Sequence, residues 1–149
     1  MKVRAPAIML LMVLTICGAA ACDEKLRDVA GPTPDLEPTF ASIQRDIFNA
    51  PDSSGRPGCI SCHNANGARF TANLSLVQGV SYQSLVGVPS TAKAGAVRVV
   101  PGDPDASYLL KKVLGTDIVG ERMPRLGPYL SAGQIRIIRR WIELGAKND

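Results

Sequence analysis

Histidine is nearly missing from this chain of 149 residues: His63 is the only one. Any site that needs two imidazoles from one chain is thereby excluded. Aromatic residues are scarce as well, with three Phe, three Tyr and one Trp. A core of this size must be built from aliphatics, or borrow apolar bulk from another group. Neither sign of charge dominates, since 17 Lys and Arg stand against 13 Asp and Glu, a net +4 scattered along the chain. Nothing there builds a basic stripe along a phosphate backbone, so nucleic acid is not an expected partner. A spanning apolar run is lacking too: Ala7–Ala21 is fifteen residues without a charge, short of the roughly 20 that cross a bilayer. Internal repeats and sustained period-two alternation are also absent, which excludes solenoids and sheets.

What is present begins with an export signal. Lys2 and Arg4 precede the apolar run, and residues 1–21 end in the small residues Cys17-Gly18-Ala19-Ala20-Ala21, directly before Cys22. Two exits stand. In the first, the junction is a bacterial lipobox and Cys22 becomes the lipid-bearing first residue, although Ala19 stands where that motif prefers Leu. In the second, ordinary cleavage after Ala21 leaves Cys22 as a free thiol, a liability outside the cytosol. The first is the expectation: an exported chain on the periplasmic side, held at an inner or outer membrane through Cys22. Loss of Lys2 and Arg4 lowers the net charge from +4 to +2. Residues 22–38 follow, carrying Gly31, Pro32, Pro34, Pro38 and charges of both signs. They read as a flexible tether with an extended reach on the order of 50 Å.

Residues 39–149 read as one mostly α-helical domain. Phe40, Ile43 and Ile47 mark a helix of about eleven residues, with Thr39 as N-cap and Pro51 as its stop. Ser81–Val86 predicts a short helix closed by Gly87, and Val97–Val100 a short extended piece. A turn at Pro101-Gly102-Asp103-Pro104 leads to a helix capped by Asp105 and ended by Gly115. The last helix is the clearest. Ser131 and Gln134 form a capping box, Gly145 ends it, and Ile135, Ile138 and Ile142 line one stripe, widened by Ile137, Trp141 and Leu144.

The chemistry concentrates in Cys59-Ile60-Ser61-Cys62-His63. C-x-x-C-H is the spacing of covalent haem attachment: two thiols add to the vinyl groups of one macrocycle, and the adjacent imidazole becomes the proximal iron ligand. Three other readings compete. A thiol-redox pair uses C-x-x-C within a βαβ context that this chain lacks; a structural zinc site wants four ligands; a local disulfide leaves the histidine as coincidence. With haem attached, the sixth iron position needs a donor. Met1, Met9 and Met12 leave with the signal, so Met123, in the irregular stretch Gly120-Glu121-Arg122-Met123-Pro124, is the candidate distal ligand. Arg98, Arg122, Arg125, Tyr108 and Trp141 are candidates to meet the propionates. Lys111, Lys112, Arg122 and Arg125 are candidates for a basic rim that steers an acidic redox partner.

On these residues the chain resembles the monohaem class I cytochromes c over about residues 38–146. More narrowly, it is similar to environmental-bacterial domains with a Val-Pro-Gly-Asp-Pro stretch (Val100–Pro104), a Ser-x-Leu helix (Ser107–Leu109) and a Trp-Ile-x-x-Gly-Ala ending (Trp141–Ala146). The resemblance implies a small all-α fold packed around one covalent haem c, with first and last helices crossing so that Phe40 and Ile43 approach Ile138 and Ile142. It also implies single-electron transfer between redox partner proteins, with no catalysis. The segment of 60 positions from His63 to Met123 departs from the family. Other readings remain: a haem-bearing subunit of a larger dehydrogenase or oxidase, a ligand-binding haem sensor, or a haem-free thiol-redox or metal-binding module.

Overall fold

The computed structural model describes residues 36–64 and 72–149. The signal at 1–21, lipidation at Cys22 and the tether as far as residue 35 lie outside the described residues. Leu36 packs against the core and the Glu37 amide donates to Ser42 Oγ at 3.0 Å, so residues 36 and 37 are already in contact with the domain.

Among the described residues the chain is helical and forms no strand. Helix α1 (Phe40–Ile43) is capped by the Thr39 hydroxyl, which accepts from the Ser42 amide. It runs on into a wider π-helical turn, Gln44–Phe48, closed by the Asn49 amide donating to Gln44 O at 3.0 Å. The predicted eleven-residue helix is thus nine residues long, and its second half is wound more loosely. A single 3-10 turn occupies Cys59–Ser61. Helix α2 is Ser81–Leu85, α3 is Tyr108–Leu114 and α4 is Ala132–Glu143.

Two sequence expectations need correction. Asp105 does not cap α3: Ser107 occupies the N-cap position, and Asp103 Oδ1 instead accepts from the Ala106 amide at 2.9 Å. The Pro101–Pro104 turn continues through Ala106, which delays the helix by two residues. Leu144 is 45% exposed, because α4 has ended there and the chain turns at Gly145, φ +95°. Elsewhere the pattern held. Gly115 ends α3 at φ +79°, the Ser131–Gln134 box closes α4, and Val97–Val100 makes isolated bridges to Val86, Pro89, Ser107 and Asp103.

One core joins the elements. Ile43, Leu85, Val99, Ile138 and Ile142 have no exposed surface, each such side chain contributing about 1.5–3 kcal/mol by burial. Helices α1 and α4 meet there, with the Phe40 ring 5.3 Å from Trp141 and 5.2 Å from Tyr82. Polar edges of these aromatics are satisfied by the last residues: Trp141 Nε1–H donates to Lys147 O and Tyr82 OH to Ala146 O. The chain near 146–149 is thereby drawn over α1, where the Ala41 amide donates to Asp149 O.

Candidate functional site

Cys59, Cys62 and His63 fall in one turn because the backbone closes on itself. The amides of Cys62 and His63 both donate to Cys59 O, at 3.3 and 2.9 Å. Gly58 delivers the turn. A Cβ there would lie 2.6 Å from both Phe48 O and Ala50 O, so only glycine lets the chain pass this close to the end of the π turn. Upstream, Asp52 gathers the Ser54 hydroxyl, the Ser54 and Arg56 amides and the Arg56 guanidinium, which folds the intervening loop; these bonds, the Ser54 hydroxyl's foremost, hold its carboxyl well below the usual range.

Both thiols are free. Cys62 is exposed; Cys59 is half-buried, and burial pushes its thiol up to about 11. Thiol exchange needs a thiolate, and this shift works against one. His63 is half-buried, and loss of hydration is the main cause holding its proton affinity below the usual value, with Lys112 and Arg98 adding repulsion. Its Nδ1 faces Leu74 O at 3.4 Å. A neutral ring donating from Nδ1 to a carbonyl leaves Nε2 with a free lone pair, the state in which histidine binds a metal. The Leu74 carbonyl had no signal in the sequence, since any residue supplies one.

The segment carrying Leu74 is held from several sides. Leu76 donates its amide to His63 O at 2.8 Å, while Leu76 O accepts from Gln44 Nε2 at 2.8 Å. Gln44 is buried in the π turn and also meets Asn49 Oδ1 and the Ser81 hydroxyl. Nothing in the hydrophobic pattern singled Gln44 out, because a polar residue next to Ile43 reads as solvent-facing.

Met123 is half-buried in the stretch between α3 and α4. The carbonyls that α3 leaves open at its C-terminus place it. Lys112 O accepts from the Met123 amide at 2.9 Å and Val113 O accepts from Arg122 Nε at 2.8 Å. Lys112 is common to both halves of the candidate site, its carbonyl anchoring Met123 and its charge felt at His63.

The five candidates for meeting propionates are engaged by the chain itself. Arg98 is buried against backbone carbonyls; Arg122, besides its bond to Val113, lies 3.9 Å over the Tyr129 ring; Arg125 pairs with Glu121. Tyr108 OH accepts from the Val119 amide, and Trp141 is bonded to Lys147 O. Of the proposed basic rim, Lys111 pairs with Asp117 and Lys112 Nζ donates to Val119 O.

Two free thiols able to add to vinyl groups, and an imidazole with an available nitrogen, are the groups that a c-type haem requires. Among the described residues no group of three or more His, Cys, Asp or Glu gathers to hold a metal ion, and no helix is long and apolar enough to cross a membrane. No protein-family model matches the chain, no curated protein matches it, and no solved structure matches its fold.

Proposed function

We propose that this chain is an exported single-electron carrier of the class I cytochrome c type, built for one covalently attached haem. The observation that carries the reading is the turn Cys59–His63, in which both thiols are free and the imidazole is kept neutral with Nδ1 engaged. Cys59 and Cys62 would hold the macrocycle as thioethers, and His63 and the Met123 sulfur would be the donors to its iron. When bound, the haem supplies one-electron redox chemistry, at a potential that a His/Met donor set raises above that of two imidazoles. The chain supplies the rest. Leu74 O fixes the tautomer of His63, burial keeps that ring unprotonated, and the carbonyl end of α3 holds the loop of Met123. Were His63 and Met123 both to hold the iron, no position would be left for a substrate, and the protein would pass electrons between redox partner proteins. A lipid on Cys22 keeps it at a membrane on the periplasmic side.

Carbon monoxide separates this from a ligand-binding haem protein. The reduced protein is expected to resist it at neutral pH, whereas rapid stoichiometric binding contradicts a closed site. Mass spectrometry of the mature N-terminus is expected to find acyl chains on Cys22, and an unmodified terminus rules out the anchor.

A further inference from the structure

Arg98 is the least expected side chain in the fold. It is 7% exposed, and burial alone pulls its proton affinity down. Charged groups at this depth usually face an opposite charge. Among the described residues its partners are instead oxygens of uncharged groups: Nη1 donates to Ser84 O at 2.6 Å and lies 3.5 Å from Ser84 Oγ, while Nη2 donates to Ala72 O at 2.8 Å and Asn73 O at 3.3 Å. The second pair matters. Ala72 and Asn73 are consecutive non-glycine residues at φ +56° and +52°. Left-handed backbone of this kind persists only where the surroundings over-determine it. The guanidinium grips both of their carbonyls, and Thr91 Oγ1 adds a further donor to Ala72 O.

The next residue is Leu74, whose carbonyl faces His63 Nδ1. The opposite end of the fork is fixed to α2 through Ser84, and the Ser84 hydroxyl accepts from the Ser75 amide at 3.0 Å. A planar fork with donors on two nitrogens spans the gap between α2 and the 72–73 bend, and a lysine ammonium lacks that geometry. We infer that Arg98 is the positioning residue for His63: it clamps the strained Ala72-Asn73 bend to α2 so that the Leu74 carbonyl stays within reach of the imidazole. This assigns the arginine to the backbone behind the ring instead of to the propionates. The consequence for an iron ligand rests on the function proposed above, while the clamp itself does not.

The test is hydrogen exchange by nuclear magnetic resonance on the full haem-loaded chain in its reduced, diamagnetic state. In Arg98→Lys, the His63 Nδ1–H is expected to exchange at least about tenfold faster, with the Trp141 Nε1–H, which is bonded to Lys147 O and takes no bond from Arg98 or the 72–73 bend, left unchanged. Equal acceleration of both protons marks general loosening and overturns the inference, as does unchanged exchange at His63. Should Arg98→Lys fail to fold, Ser84→Ala removes the hydroxyl that accepts from the Ser75 amide and lies 3.5 Å from Arg98 Nη1, while the Ser84 carbonyl that holds the fork stays. It is expected to give a smaller acceleration at His63 alone, and no acceleration overturns the inference. If parent and variant both emerge without haem, it is the proposed function that fails, and the same comparison on the haem-free chain still tests the clamp.

Discussion

Two sulfur types carry the proposed chemistry, and their surroundings differ. Cys62 is exposed while burial pushes Cys59 up to about 11, so in the haem-free chain an alkylating reagent near neutral pH is expected to label Cys62 first. Peptide mapping of the labelled chain checks this, and equal labelling would mean the turn is open. Met123 has a different task. Its amide is held by Lys112 O, so Met123→Ala keeps that backbone anchor and removes the thioether side chain beyond Cβ. The oxidised protein is then expected to lose its thioether-to-iron absorption band and the reduced protein to take up carbon monoxide, with haem still attached. An unchanged spectrum assigns the distal position to another group. The motif Cys59–His63 and the candidate Met123 were legible because those residue types are rare here. Leu74, Gln44 and the clamp role of Arg98 were not, since a backbone carbonyl, a buried amide and an arginine without an acid leave no mark on composition or period.

Elements whose ends carry side-chain signals were read well. Ser131 and Gln134 close α4 as the spacing predicts, and Gly115 ends α3 in the left-handed conformation. Ser131→Ala is expected to cost about 1 kcal/mol, read as a lower urea midpoint, because the Ser131 hydroxyl accepts from the Gln134 amide at 3.2 Å and nothing else at that end replaces it. A change near zero would show that the box is incidental. The start of α3 was misplaced for a physical reason. Asp103, Asp105 and Ser107 are all good N-cap types, and the choice among them falls to a tertiary contact: the buried Ser107 hydroxyl bonds Asp103 O at 2.7 Å and takes the Val100 amide at 2.9 Å. The π turn at Gln44–Phe48 was equally invisible, since its apolar spacing differs little from that of an α-helix over so few residues.

Across the whole molecule, carboxylates tie surface segments together. Asp117 sits between Lys93 and Lys111, hydrogen bonds that lower its carboxyl to about 2 from an ordinary 3.8. Asp46, beside Arg45, is lowered as well. A carboxyl held below its unfolded value contributes stability that is present in full above the unfolded value and is lost as pH falls through the folded one. The urea midpoint is therefore expected to fall between about pH 5 and pH 2, less steeply in Asp117→Asn, and less steeply in high salt because Asp117 is exposed. An identical pH profile in the variant would remove Asp117 from the account. The direct measurement is the intact mass and visible spectrum of the denatured chain after export from a host that matures c-type cytochromes. The account predicts a coloured chain heavier by one haem, with the mass on the peptide holding Cys59 and Cys62; a colourless chain with both thiols unmodified would contradict it.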